Sequence, residues 1–327
     1  IWSLLLCPLS NDIVEVDSNM KLGWYWSETK EAIQAPEISE GDRPTHFYII
    51  GASGTGKSRF MEFLIIQDIG KNGFAVFDPH GDLVDSIRGY VANHITGLEE
   101  GEGDKFFSKV ILIDPLHPTK TVVFNPLERL PNIPDAEQAA ELVSAFKKIW
   151  ADSWGARMED LLRSSLIVLI ENQLTLLELP HLLTDESFRE RLVENTKNPI
   201  ARQYFQQRFN VLTPKTRSEW IESTLNKVGA FLSDDRIRQI LSLPESSFNL
   251  REAIDDQKII LINLNKGRLK DNSDLLGSLL LSKLQMAAFS RQDIPQSKRI
   301  PFYCYIDEFQ TFASDTFVEV LSGARKY

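Results

Sequence analysis

The 327-residue sequence predicts an α/β fold, in which a parallel sheet is flanked by helices and interrupted by an inserted all-helical subdomain. Five short apolar runs rich in β-branched and aromatic residues are typical of strands buried on both faces. Between about residues 136 and 250, the apolar residues follow only helical spacing. Hydrophobic residues make up 43% of the chain, which is enough for a full core.

The five predicted strands alternate with helices, as expected for a parallel sheet. They are 45–51 (THFYIIG), 74–78 (FAVFD), 110–114 (VILID), 258–264 (KIILINL) and 301–308 (PFYCYIDE). Helical patterns follow the first, second and fifth, at 57–70, 82–95 and 316–327. The polar stretch 97–105 (GLEEGEGDK) predicts an acidic surface loop.

The helical middle of the chain is too long for an ordinary connection, so it predicts a subdomain. Asp135 and Asp185 precede apolar periodic segments and are candidate helix N-caps. We therefore divide the chain into 1–134, the inserted 135–250, and 251–327, the first and last parts forming one α/β domain.

The net charge of -10 argues against a protein that coats nucleic acid electrostatically. The acid excess lies mostly in residues 1–134, whereas 251–327 is close to neutral. Local contacts with nucleic acid therefore stay open. The cysteines Cys7 and Cys304 are too few for a disulfide framework and indicate a reducing compartment.

A phosphate-binding loop is the most specific motif. Residues 51–58, GASGTGKS, match G-x-x-x-x-G-K-[ST] between a predicted strand and a predicted helix. Its glycines let backbone N–H groups face phosphate oxygens, Lys57 reaches the β- and γ-phosphates, and Ser58 offers a hydroxyl to Mg²⁺. The predicted nucleotide contacts are Gly51, Ala52, Ser53, Gly54, Thr55, Gly56, Lys57, Ser58 and Arg59.

Two carboxylates end the last predicted strand, where open α/β sheets bind ligands. Asp307 is predicted to hold Mg²⁺ through a water molecule, and Glu308 to orient and deprotonate the attacking water, so we expect hydrolysis of ATP and not transfer of its phosphate. Without the phosphate loop, two solvated acids would be the simpler interpretation.

Together these segments resemble the HerA–FtsK superfamily of P-loop ATPases, and more closely the ATPase domain of conjugative coupling proteins of type IV secretion systems. The resemblance rests on HFYIIGASGTGKS, FAVFDPHGDL, VVFNPLE, WGARMEDLLR, IILINLNKGRL, FYCYIDEFQTFAS and LSGARKY, which span most of 45–327. The phosphate loop is common to many families, whereas DEFQ followed by ARKY is much narrower.

This resemblance implies a RecA-like nucleotide-binding domain, formed here by 1–134 and 251–327, and a homo-hexamer with ATP between subunits. It implies that Arg325 reaches the neighbouring subunit's nucleotide; on its own, Arg325 would be a surface arginine. It further implies DNA as a partner, and a cytoplasmic domain attached to the inner face of a bacterial membrane through a missing N-terminal segment.

Two departures limit the resemblance. Some members carry a basic residue just before the histidine of the first strand, where this chain has Thr45, with Arg43 two positions earlier. The family also continues past ARKY into a strand ending in a nucleotide-sensing glutamine. We therefore expect the chain, which ends at Tyr327, to be truncated.

Other polar groups have structural alternatives that we favour. Asp78, His80 and Asp82 lack a fourth metal ligand. Three further groups are candidates for contacts with DNA or a neighbouring subunit. Arg157 with Glu159 and Asp160 can instead form ion pairs on a helix surface. The other two are a segment that can instead be a solvated helical face with core aromatics, with Lys197, Arg202, Tyr204, Phe205, Arg208, Phe209, Lys215 and Arg217, and a loop that can instead be solvated, with Lys266, Arg268 and Lys270.

The sequence thus predicts an ATP-hydrolysing DNA translocation motor of the conjugative transfer type. The alternative is a nucleotide-dependent assembly or protein-export ATPase of a secretion apparatus that does not pump DNA.

Overall fold

The computed structural model describes residues 19–43, 45–117, 122–314 and 317. Its main sheet has four parallel strands, β5 (Gly73–Asp78), β6 (Val110–Ile113), β7 (Ile259–Asn263) and β8 (Phe302–Ile306), in the order β6-β7-β5-β8. Two short antiparallel pairs precede it, β1 (Met20–Lys21) with β4 (Glu37–Ile38) and β2 (Tyr25–Ser27) with β3 (Ala32–Gln34).

Helices cover the sheet and fill the middle of the chain. Those around the first strands are α1 (Lys57–Ile66), α2 (Asp82–Thr96) and α3 (Glu102–Phe107). The middle contains α4 (Asp135–Ile149), α5 (Ala156–Glu171), α6 (Leu179–Thr184), α7 (Glu186–Asn195), α8 (Pro199–Gln203), α9 (Pro214–Leu232), α10 (Asp235–Ile240) and α11 (Leu250–Asp255), with a π-helix at Tyr204–Phe209. The last are α12 (Lys266–Leu269), α13 (Asp271–Phe289) and α14 (Phe309–Phe312).

The predicted α/β class is confirmed, and four of the five predicted strands are present. The exception is 45–51, which forms no strand in the described part of the chain. This segment lies mostly at the surface, with Phe47, Tyr48 and Ile50 exposed. A strand needs a partner for its backbone groups, and apolar content alone does not supply one.

Parallel pairing brings the carboxyl ends of three strands to one edge of the sheet. Asp78 pairs in register with Asn263, and Phe77 pairs with Ile306 on the other side. Asp307 continues β8 by donating its N–H to the carbonyl of Phe77, at 3.0 Å. The polar residues that end β5, β7 and β8 therefore share the edge that α1 and α2 enter.

The middle of the chain is helical, as predicted. Asp185 caps α7 by accepting from the N–H of Phe188 at 2.8 Å, which confirms that N-cap. Asp135 lies one residue inside α4 and pairs with Arg129, so its N-cap prediction was wrong by one position.

The stretch 97–105 is at the surface, but it was wrongly predicted as a loop throughout, because α3 begins at Glu102. Gly101, with φ of 83°, allows the chain to turn into this helix. The ring of Phe106 in α3 packs on His94 of α2, with centroids 4.7 Å apart. This tertiary contact stabilises a short helix that polarity alone does not predict.

Candidate functional site

The phosphate-loop motif at residues 51–58 connects the segment 45–50 to α1, whose first two residues it includes. Gly54 and Gly56 have φ of 77° and 90°, in the left-handed region that favours glycine. Residues 51–56 are exposed, and α1 begins at Lys57 with its first N–H groups free of intrahelical partners. The loop therefore presents backbone donors and the positive end of a helix to solvent, which suits an anion.

Lys57 folds back over its own loop. Its Nζ donates to the carbonyls of Gly51 at 2.9 Å and Ala52 at 3.0 Å, and the Thr55 hydroxyl also donates to Ala52, at 2.7 Å. An ammonium group forms stronger hydrogen bonds with phosphate oxygens than with neutral carbonyls. The Lys57 ammonium group therefore lies beside the phosphate loop, where it can exchange its hydrogen bonds to these carbonyls for hydrogen bonds to a phosphate.

Ser58 and Asp307, which are 249 positions apart, meet directly. The Ser58 hydroxyl donates to Asp307 Oδ2 at 2.8 Å, and the N–H of Glu308 donates to Asp307 Oδ1 at 3.0 Å. Asp307 is 7% exposed, whereas Ser58 faces solvent. Hydroxyl and carboxylate oxygens are ligands that Mg²⁺ prefers, and Mg²⁺ completes its shell with phosphate oxygens and water. The pair therefore fits a magnesium ion bound together with a nucleotide.

Glu308 follows Asp307 in an unusual backbone conformation, with φ of 50° and ψ of 48°. Such a conformation is uncommon for a residue other than glycine, although six other non-glycine residues in the described part of the chain also have positive φ. The Gln310 amide donates to Glu308 Oε2 and so fixes the carboxylate. No role for Gln310 was predicted from the sequence, although its spacing from Glu308 in DEFQ was a usable signal.

Arg59 points away from the loop. It is 82% exposed and donates to Glu62 Oε2 at 2.7 Å, and this hydrogen bond raises the pKa of its guanidinium. Glu62 also accepts from the Ser86 hydroxyl of α2. The Glu62 side chain thus links α1 to α2. A contact between Arg59 and the nucleotide stays a prediction.

Asp78 has a structural role, as favoured from the sequence. It is 1% exposed and accepts from the N–H groups of His80 at 2.8 Å and Val84 at 2.9 Å, which fixes the turn into α2. In the described parts of the chain, no cluster of three or more His, Cys, Asp or Glu side chains is able to hold a metal ion.

The candidate contact residues in α5 pair with neighbouring side chains instead of presenting free charges. Glu159 accepts from Trp154 at 2.9 Å and from Arg163 at 2.7 Å, and the bond from Trp154 is the main cause of its lowered pKa. Asp160 pairs with Arg208 at 3.2 Å, and Arg157 lies over the ring of Trp220.

The aromatic residues between 194 and 219 belong to the core. Tyr204, Phe205 and Phe209 are at most 4% exposed. Arg217 pairs with Glu186. These rings therefore offer no stacking surface, which agrees with the structural interpretation.

The segment after β7 was wrongly predicted as a loop throughout, because Lys266 and Arg268 belong to the short helix α12 and Lys270 follows its end. Lys266 pairs with Asp274 at 2.7 Å, while Arg268 and Lys270 lie at the surface. Arg325, the predicted trans-acting arginine, lies outside the described residues.

The model of the family described as "Helicase HerA, central domain" matches residues 43–285, which is most of the chain. This chain belongs to the HerA central-domain family. The match covers the phosphate loop and α1, and it ends in α13, before β8 with Asp307 and Glu308. No curated protein sequence matches the chain.

Two solved structures share the fold of this HerA-family chain. One is described as the bacterial conjugative coupling protein TrwBdeltaN70 in an unbound form, with a TM-score of 0.54 and 17% identity over 89% of this chain and 61% of that one. The other is the plasmid coupling protein TrwB with the non-hydrolysable GTP analogue GDPNP, with a TM-score of 0.50 and 17% identity over 84% and 60% of the two chains. The chain thus spans about three fifths of these structures, and the likeness establishes the P-loop ATPase fold.

The helices of the described residues include none that is both long and apolar enough to cross a membrane.

Proposed function

We propose that this chain is the motor domain of an ATP-hydrolysing DNA translocase of the conjugative transfer type. The observation that carries the proposal is the direct contact of Ser58 with Asp307, 2.8 Å apart, with Glu308 as the next residue. It unites the phosphate loop with a carboxylate pair at the edge of the sheet where ligands bind.

Each side chain has a distinct task in this proposal. Backbone N–H groups of residues 51–58 hold the phosphates, and Lys57 leaves the carbonyls of Gly51 and Ala52 to contact the terminal phosphates. Ser58 and Asp307 hold Mg²⁺, which neutralises charge on the phosphates when bound. Glu308 takes a proton from the attacking water, with its carboxylate fixed by Gln310.

The assembly is proposed from the family and from the related fold. A homo-hexameric ring would bring Arg325 to a neighbour's nucleotide, where a guanidinium stabilises charge that develops on the transferred phosphate. DNA would contact loops that face the ring interior, so that weak contacts add over the subunits. In the cell, the domain would be cytoplasmic and attached to secretion or conjugation machinery at the inner face of a membrane.

The test is the rate of ATP hydrolysis by the full-length protein with and without single- and double-stranded DNA. We expect hydrolysis that DNA stimulates several-fold, with more salt weakening the effect because phosphate contacts release counterions. Hydrolysis that neither form of DNA changes would contradict the motor.

Such a result would favour the alternative, a protein-export or assembly ATPase of a secretion apparatus. One observation favours that alternative. In the segment between residues 194 and 219, the aromatic residues are buried, and Arg208 and Arg217 are paired with carboxylates. This segment therefore offers neither stacking rings nor free charges at these two arginines to a nucleic acid.

A further inference from the structure

A buried polar cluster lies at the far end of α1 from the phosphate loop. Arg43 donates to both oxygens of the Asp68 carboxylate, at 2.8 and 2.7 Å, and the Tyr305 hydroxyl donates to Asp68 Oδ2 at 2.6 Å. The side chains of Arg43 and Asp68 are 8% and 1% exposed. We call Arg43, Asp68 and Tyr305 the anchor cluster.

The anchor cluster joins the three segments that build the nucleotide site. Arg43 precedes the extended stretch into the loop, Asp68 follows the end of α1 by two residues, and Tyr305 belongs to β8. The Arg43 guanidinium also lies 3.6 Å from the ring centre of Tyr303, on the same strand. A bidentate, stacked arginine fixes its partners in orientation as well as distance.

The register of β8 connects this cluster to the site. Tyr303, Tyr305 and Asp307 alternate along one face of the strand, because successive side chains point to opposite faces. Helix α1 is thus attached to that face at two points, through Asp68 to Tyr305 and through Ser58 to Asp307 at 2.8 Å. In the first attachment Asp68 is buried and Tyr305 is half-buried, whereas the second attachment includes a solvent-facing serine.

We propose that the anchor cluster is a positioning device that sets the spacing between Ser58 and Asp307, and hence the gain in nucleotide affinity that Mg²⁺ provides. This inference rests on the proposed nucleotide site. The loop and the start of α1 are one continuous segment, so contacts with the phosphates survive a small shift of α1 against β8. By contrast, Mg²⁺ binding that needs both Ser58 and Asp307, one from each segment, does not survive such a shift.

Burial is consistent with a cluster that stays assembled. It raises the pKa of the Tyr305 hydroxyl, with the neighbouring Asp68 charge adding to the effect, so that Tyr305 remains a donor to Asp68. The hydrogen bond to Asp68 raises the pKa of Arg43 against the opposing effect of burial.

The test measures binding of a fluorescent ATP analogue to the full chain with Mg²⁺ and with EDTA, using Tyr305→Phe and Arg43→Gln. We expect both variants to lose at least threefold of the Mg²⁺-dependent gain in affinity, while affinity in EDTA changes less than twofold. Tyr305→Phe leaves Asp68 paired with Arg43 and is the variant expected to fold normally.

Arg251→Gln is the matched control for Arg43→Gln. Arg251 is 11% exposed and holds the carboxylates of Asp255 and Asp293 at 2.7 and 2.8 Å, in a separate cluster around α11. It should lower stability and leave the Mg²⁺ gain unchanged.

Three results would each overturn the inference. The first is a Mg²⁺-dependent gain in nucleotide affinity in Tyr305→Phe and Arg43→Gln that equals the wild-type gain. The second is an equal loss of this gain in Arg251→Gln, and the third is the absence of any such gain in the wild-type protein. A wild-type protein that binds Mg²⁺ and nucleotide jointly but never hydrolyses ATP would contradict the proposed function alone.

Discussion

Lys283 is a single residue whose environment controls its charge. It lies on α13, is 2% exposed, and donates to the backbone carbonyl of Glu128. The charged groups that line the adjoining small cavity are Glu128 and Arg129. Burial lowers the pKa of Lys283 to about 7, and the attraction of Glu128 offsets this effect only in part. Its amine is therefore neutral in the folded protein at alkaline pH.

This lowered pKa predicts how stability changes with pH. An unfolded lysine has a pKa of about 10.4, so between pH 7 and pH 10 the unfolded chain binds a proton that the folded chain does not. The wild-type free energy of unfolding should therefore rise from pH 7 to pH 9 by about 2 kcal/mol relative to Lys283→Met. Urea unfolding of both proteins at pH 7, 8 and 9 measures this difference. Parallel pH dependences would show that Lys283 stays charged when folded.

Individual site residues were predictable where the chemistry is local. The loop from Gly51 to Ser58 is contiguous, and its motif specifies both its glycines and its lysine. The meeting of Ser58 with Asp307 followed from a general property of parallel sheets, whose carboxyl ends share an edge. The role of Gln310 and the pairing of Arg43 with Asp68 depend on side-chain orientation, which spacing does not determine.

At the scale of elements, the turn between β5 and α2 depends on one glycine. Gly81 has φ of 100°, and an added Cβ would lie 2.8 Å from Asn263 Oδ1 of β7. Gly89 lies within the same helix, α2, at an exposed position where an added Cβ meets nothing within 4 Å. The two glycines therefore make a matched pair.

Alanine should have opposite effects at these two positions. Gly81→Ala should destabilise by about 1–3 kcal/mol, because it combines a left-handed conformation with a close contact. Gly89→Ala should stabilise by up to about 1 kcal/mol, because alanine is the better helix former. Thermal and urea unfolding test both. If Gly81→Ala is as stable as the wild-type protein, the close packing of this turn against β7 is incorrect.

Elements were predictable from local pattern except where tertiary partners decide the outcome. The segment 45–51 has the composition of a strand, yet strand formation requires a neighbouring backbone, which composition does not report. The helix α3 lies in a sequence rich in glycine and acidic residues, and that composition does not reveal that Phe106 packs on His94.

At the scale of the whole molecule, the helical middle and the sheet share a core. One buried cluster contains Ala75 and Phe77 of β5 and Ile262 of β7 together with Leu142 of α4 and Leu166 of α5. The division into 1–134, 135–250 and 251–327 stays a proposal. A common core would allow movement at the nucleotide site to affect the helical region.

The net charge of -10 says little about whether the whole molecule binds nucleic acid. It argues against nonspecific coating of nucleic acid, but the proposed ring would need only a few local contacts from each subunit. The exposed Arg268 and Lys270 after β7 lie in the near-neutral last part of the chain and are candidates for such contacts. Global charge is therefore a weak guide to the partner.

We propose that Glu308 is the base for ATP hydrolysis, and the decisive measurement is the rate of ATP turnover by Glu308→Gln. The variant should bind ATP with Mg²⁺ as tightly as the wild-type protein and lose at least about 100-fold in turnover, the usual contribution of a general base. Glu102→Gln, an exposed substitution on α3, is the control and should turn over normally. Turnover by Glu308→Gln within about threefold of the wild-type rate would contradict this account.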